Sequence, residues 1–223
     1  MILIETARLL LRNVAAKDAE IMYDYRNNEI CARYQRGQVK DLDGIVALVE
    51  RRKDDTVSVD APFMVAVALK DTDEMVGEIV VMPNDGTISL GYTFSYRHHH
   101  KGYAFEALTT LIDLLHARYP QWDFISFTEP ENKPSMALLK KLGYKDMGYL
   151  PDMESQVFGK WTTPASAWTS RRCTPIPKPM GCHFIIPWSG SSRRPSTRQK
   201  TCAIPSAAAR CICSRRARRA LRS

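Results

Sequence analysis

The sequence predicts an α/β fold of the α+β kind: one domain, with a single mixed sheet and helices on both of its faces. Two observations carry this. Strand and helix patterns follow the order βααβββαβαββ with mostly short links, and such an order settles into one layered domain. The patterns then stop near Trp161, where the composition shifts in every class of residue.

The elements follow in order. "MILIETARLLLRN" carries Glu5 and Arg8 inside an apolar pattern, so it reads as a strand and not as a secretory signal. "KDAEIMYDYRNN" puts Ile21, Met22 and Tyr25 on one helical face, with Asp18 as its cap. "DLDGIVALVERRK" repeats the pattern with Ile45, Val46, Leu48 and Val49, and ends in bases that suit the helix dipole. Residues 62–96 read as three strands, with "KDTDE" and "PNDG" as the turns. The stretch Ala104–Arg118 is the clearest helix: apolar residues recur at 104, 107, 108, 111, 112 and 115, the spacing of a buried stripe. "DFISFTEP" is a fifth strand, "NKPSMALLKKLG" a short helix closed by Gly143, and "YKDMGYL" and "ESQVFGKW" two more strands.

Charge divides the chain. The net charge of +8 hides two unlike parts. From Trp161 to Ser223 there are thirteen Lys or Arg and no acid, whereas residues 1–160 hold nineteen bases and all 24 acids, 19 − 24 = −5. The same tail carries seven of thirteen prolines and five of six cysteines. Residues 1–161 therefore read as the folded domain. Residues 162–223 read as a basic, Pro- and Cys-rich tail, either disordered or the product of a shifted reading frame. No run is long and apolar enough to cross a bilayer, and the expected place is the cytoplasm.

"YRHHHKGYAFEA" raises a question about Gly102, alone where a polar loop becomes a helix. A glycine there can be a turn residue with positive φ. It can also let a phosphate approach the unpaired N–H groups of a helix N-terminus. A dinucleotide or P-loop signature is excluded, since neither GxGxxG nor GxxxxGK[ST] occurs. The neighbours favour phosphate. "HHHKGYAFEA" resembles the acetyl-CoA loop of the GCN5-related N-acetyltransferase (GNAT) superfamily, usually [RQ]-x-x-G-x-[GA], with His99 where Arg or Gln is usual. "ENKPSMALLKKLGY" resembles a later block, N-x-x-S followed at a distance by G-[FY], in the branch of the ribosomal-protein-alanine N-acetyltransferases. "ISLGYTF", with Ser89 where glutamate is usual, and "IETARLLLRNVAAKDAE" resemble two more of its segments.

The resemblance covers residues 2–161 and implies a mostly antiparallel sheet of about six to seven strands, acetyl-CoA as cosubstrate, and acetyl transfer to a primary amine by direct attack. The acceptor would be a small molecule or a peptide N-terminus. Phe94, Ser95, His99, His100, Lys101, Gly102, Tyr103, Ala104 and Asn132 would then meet the cofactor. The family's tyrosine acid would fall at Leu139, which cannot serve. Ser135 is expected near the thiol; its alternative reading is a helix-start serine bonding locally. Glu154 is the expected general base, against a solvated edge charge, with Glu129 and Glu78 as further candidates. The histidine triplet lacks metal-ligand spacing, so no metal is expected. Two other functions remain open: a CoA-binding module without turnover, and a polyanion-binding protein acting through its tail.

Overall fold

In the computed structural model, residues 1–161 are described. The proposed tail, and the polyanion binding assigned to it, lie outside the described residues.

Eight strands form one sheet in the order β1-β2-β3-β4-β5-β6-β8-β7. β1 (Ile2–Glu5) and β2 (Leu9–Arg12) are an antiparallel pair, Ile4 opposite Leu11. The sequence reads as one strand here, but Thr6 breaks it. The Thr6 hydroxyl accepts the Leu9 N–H at 2.9 Å, and the Thr6 N–H donates to the Leu9 carbonyl at 2.9 Å. That turn supplies the strand beyond the expected six to seven. β3 (Phe63–Leu69), β4 (Met75–Asn84) and β5 (Thr87–Phe94) form the antiparallel meander read from the sequence. β6 (Asp123–Thr128) lies parallel to β5, and β8 (Ser155–Lys160) pairs antiparallel with both β6 and β7 (Lys145–Leu150).

Alternation along the strands builds two layers. Phe63, Val65 and Val67 of β3 join a core with Ala107, Leu108, Leu111, Ile112 and Leu115 of α4 (Tyr103–Arg118) and Leu139 of α5 (Lys133–Lys141). Met64, Ala66 and Ala68 are buried on the opposite face. There Glu78, the register partner of Ala66, bonds Arg26 of α1 (Ala19–Asn27), so α1 lies on that side. A four-residue helix, α2 (Glu29–Ala32), follows, and α3 (Leu42–Arg52) packs on α1.

Two details differ from the sequence reading. Asp18 stands at the N-cap position of α1, as expected, but its side chain does not bond the amides of that helix. It ends a 3₁₀ turn, accepts the Ala15 N–H at 2.7 Å, and is buried against the Arg12 guanidinium at 2.7 and 2.9 Å. Val46 is exposed, because the stripe of α3 narrows to Ile45, Leu48 and Val49.

Candidate active site

β5 and β6 share only two register pairs, Thr87 with Asp123 and Ile88 with Phe124. Beyond them the strands run on to Phe94 and Thr128 without pairing to each other, leaving a V in the sheet that opens toward their C-terminal ends. Side chains occupy part of this open edge. Gln35 Nε2 donates to the Tyr92 carbonyl at 3.0 Å. The Phe94 carbonyl accepts from His99 Nε2 at 2.9 Å and from the Cys31 thiol at 3.3 Å. Arg36 pairs with Glu129 at 2.7 Å, and the Tyr34 hydroxyl donates to the Glu131 carbonyl at 3.1 Å. The segment from Cys31 to Arg36 thus spans the mouth of the V from β5 to the end of β6.

α4 begins at that mouth. Its N-cap is Gly102, with φ +82, and the first N–H to bond within the turn is that of Glu106, to the Gly102 carbonyl at 3.1 Å. Helix geometry leaves the amides before it without intrahelical partners, under the positive end of the helix dipole. The left-handed backbone bears out the turn reading of Gly102, and the amides that follow it are the groups a phosphate would meet. Ser95, buried, leads from β5 into the loop. His99 is turned back to the Phe94 carbonyl, which requires its proton on Nε2, so its ring braces the loop. His100 has φ +62, and Lys101 Nζ contacts His98 Nδ1 at 3.3 Å.

Arg8 supports the loop, a role the sequence reading missed. Its guanidinium donates to the Lys101 carbonyl at 3.0 Å, pairs with Glu106 at 2.7 Å and lies 4.7 Å from the Tyr103 ring centre. Burial pushes the Glu106 carboxyl up, but hydrogen bonds from Thr6 and Arg8 outweigh it and hold it below the usual carboxylate range. No local pattern joins Arg8 to a helix nearly a hundred residues later; an arginine inside the apolar run was the available signal.

On the other side of the V stands α5. Asn132 caps it, its carbonyl oxygen accepting the Ser135 N–H at 3.2 Å. Losing such a cap costs about 1 kcal/mol. Asn132→Ala is therefore expected to lower Tm by about 2–4 °C, read by thermal unfolding; an unchanged midpoint would show that the cap carries no stability. The Ser135 hydroxyl lies 2.8 Å from the Tyr92 hydroxyl on β5, so this pair bridges the V. Leu139 is buried in the core. Gly143 ends α5 with φ +85: its N–H donates to the Lys140 carbonyl and the Tyr144 N–H to that of Leu139, both at 3.0 Å, the double bond of a Schellman stop.

The three candidate carboxylates have different surroundings. Glu154 is exposed, with φ +49, two residues before Gln156, which pairs with Thr128. It therefore sits at the edge of the sheet where the V opens. Glu129 is at the same edge, held by Arg36. Glu78 is on the α1 face, with its oxygens on Arg26 and Gln38.

The profile of the family described as "Acetyltransferase (GNAT) domain" matches residues 8–145. An uncharacterized N-acetyltransferase of Bacillus subtilis, YnaD, is 29% identical over 148 residues, 66% of this chain and 84% of that one. Two solved structures share the fold. The microcin C7 self-immunity acetyltransferase MccE, solved with acetyl-CoA and AMP, is 19% identical, with TM-score 0.59 over 70% of this chain and 93% of its own. The ribosomal-protein-S5-alanine acetyltransferase of Vibrio fischeri is 17% identical, with TM-score 0.55 over 72% and 98%. The profile accounts for 145 − 8 + 1 = 138 of the 223 residues, well over half. The chain belongs to the GNAT acetyltransferases.

Proposed function

We propose that the protein moves the acetyl group of acetyl-CoA to a primary amine, a peptide N-terminus or a small amine, inside the V between β5 and β6. The observation that supports this best is the divergence of the two strands beside the free amides of α4. An extended thioester ligand can lie along the open edge of β5, past Phe94 and Ser95, with its phosphates at the loop from His99 to Ala104. Gly102 leaves room there, and the loop amides supply the hydrogen bonds.

The amine nitrogen attacks the thioester carbon, the C–S bond breaks, and its electron pair leaves on sulfur. Glu154 takes the proton that the ammonium must lose before it attacks, and the second proton, left on the nitrogen by the attack, passes to water as the amide forms. The Ser135 hydroxyl donates a hydrogen bond to the departing sulfur, and Asn132 fixes the helical turn that carries it. The −5 balance of residues 1–160 favours approach of a cationic acceptor.

Thermal unfolding with acetyl-CoA tests the cofactor. At about 100 times its Kd it should add roughly 2.7 kcal/mol, a rise in Tm of roughly 5–10 °C. Turnover against peptide and polyamine acceptors then tests the base: Glu154→Gln should lower kcat about 100-fold. No rise in Tm in a cooperatively folding protein would overturn the reading, and unchanged turnover in the variant would remove Glu154 from it.

A further inference from the structure

We propose that Tyr92 is a positioning residue for Ser135: its phenol donates to the Ser135 oxygen and so turns the serine's own proton toward the sulfur of the cofactor. This rests on the acetyltransferase reading above and deepens it.

The two hydroxyls are 2.8 Å apart, one on β5 and the other on the first turn of α5, separated by 43 residues of sequence. A serine hydroxyl has one proton and two lone pairs. If Ser135 gave its proton to Tyr92, none would remain for sulfur. If Tyr92 gives, the serine proton is free. The second arrangement is favoured by the chemistry of the two groups: a phenol is more acidic than an aliphatic hydroxyl and so the better donor, and the serine oxygen is the better acceptor. Tyr92 packs against the apolar core, in the same strand row as Ile88, Leu90 and Phe94. Burial pushes its phenol above the ordinary value, against the opposing effect of Ser135, so it stays neutral with a proton to give. The same property prevents Tyr92 from passing that proton on. As the C–S bond breaks, the charge reaches sulfur, Ser135 donates to it, and Tyr92 donates to Ser135; no proton leaves the tyrosine. Such chains of hydrogen bonds polarise one another, which strengthens the serine as a donor.

The test uses the full chain with CoA bound, and follows the ultraviolet absorbance of the thiolate as pH is raised. It needs no knowledge of the acceptor. The bound thiol should titrate below the thiol of free CoA measured under the same conditions. Ser135→Ala should raise that pKa. Tyr92→Phe, which keeps the ring that packs, should raise it by about half a unit or more, a factor of about three in the ionisation constant. The double variant should match Ser135→Ala alone, because Tyr92 acts only through the serine. A purely structural Tyr92 would give a lower Tm with the thiol pKa unmoved. That result, or additive shifts in the double variant, overturns the inference and leaves the acetyltransferase reading standing. An unmoved pKa in Ser135→Ala removes the serine from sulfur, and this inference with it. Absence of any CoA-dependent change in Tm overturns both.

Discussion

Glu78→Ala is expected to destabilise the protein by about 3–5 kcal/mol, because it leaves a buried guanidinium without its partner. Arg26 and Glu78 have side chains only 3% exposed each. Arg26 Nη2 meets both carboxylate oxygens at 2.7 Å, and its Nε reaches one of them at 3.1 Å. Gln38 Nε2 donates to the same carboxylate at 3.2 Å and to Thr93 at 2.9 Å, which ties the pair to β5. Burial works against the arginine charge, yet Glu78 holds its pKa above the ordinary value, so the charge persists in the folded state. Without Glu78 it cannot be shed, and its desolvation is uncompensated. The fall in Tm should be roughly 6–20 °C. The double replacement Arg26→Met with Glu78→Met should recover most of it, since exchanging both charges for apolar groups is often neutral. Urea unfolding measures both. A loss below about 1 kcal/mol in the single variant would mean that water reaches the guanidinium and that the pair is not sealed. Glu78 lies on the α1 face with its oxygens on Arg26 and Gln38, so the effect belongs in unfolding curves.

The contrast between Arg26–Glu78 and α4 shows what a sequence makes legible. The stripe of α4 repeats within a few residues, and the β-meander carries its turn residues at the turns: Asp73, Asp85 and Gly86 all have positive φ where the patterns break. Gly102 and Gly143 were readable for the same reason, since a left-handed position next to a helix end is a local requirement. Short or distant features were not. α2 has four residues, too few for a period. The split of the first strand depends on one threonine hydroxyl. The bridges across the V, Gln35 to the Tyr92 carbonyl and Arg36 to Glu129, link residues 57 and 93 apart, and no pattern in either segment announces the other. Tyr92 lies between. It stands in the apolar row of β5, and Ser135 as its partner needed the fold.

Gly102 offers the sharpest separation of backbone from ligand. Gly102→Val puts a β-branched residue at φ +82 and should cost about 1–3 kcal/mol in stability. It should also weaken acetyl-CoA binding at least 100-fold, on the proposal that phosphates seat against this backbone. A concentration of about 100 Kd for the natural chain would then be about 1 Kd for the variant, and the gain of roughly 2.7 kcal/mol would shrink to about 0.4 kcal/mol. Strain alone could be blamed for the first effect, so Gly102→Asn is the decisive companion. Asparagine tolerates the left-handed region far better than valine. An added Cβ would sit 3.4 Å from an Arg8 guanidinium nitrogen, a van der Waals contact that needs no rearrangement. The asparagine variant should therefore unfold close to the natural chain while its side chain crowds the amides of α4 and the stabilisation by acetyl-CoA is lost. Retained stabilisation in Gly102→Asn would move the phosphates away from this helix end. Loss in both variants, with stability lost only in valine, would fix the glycine's role as room for the ligand, with its positive φ a separate and smaller requirement.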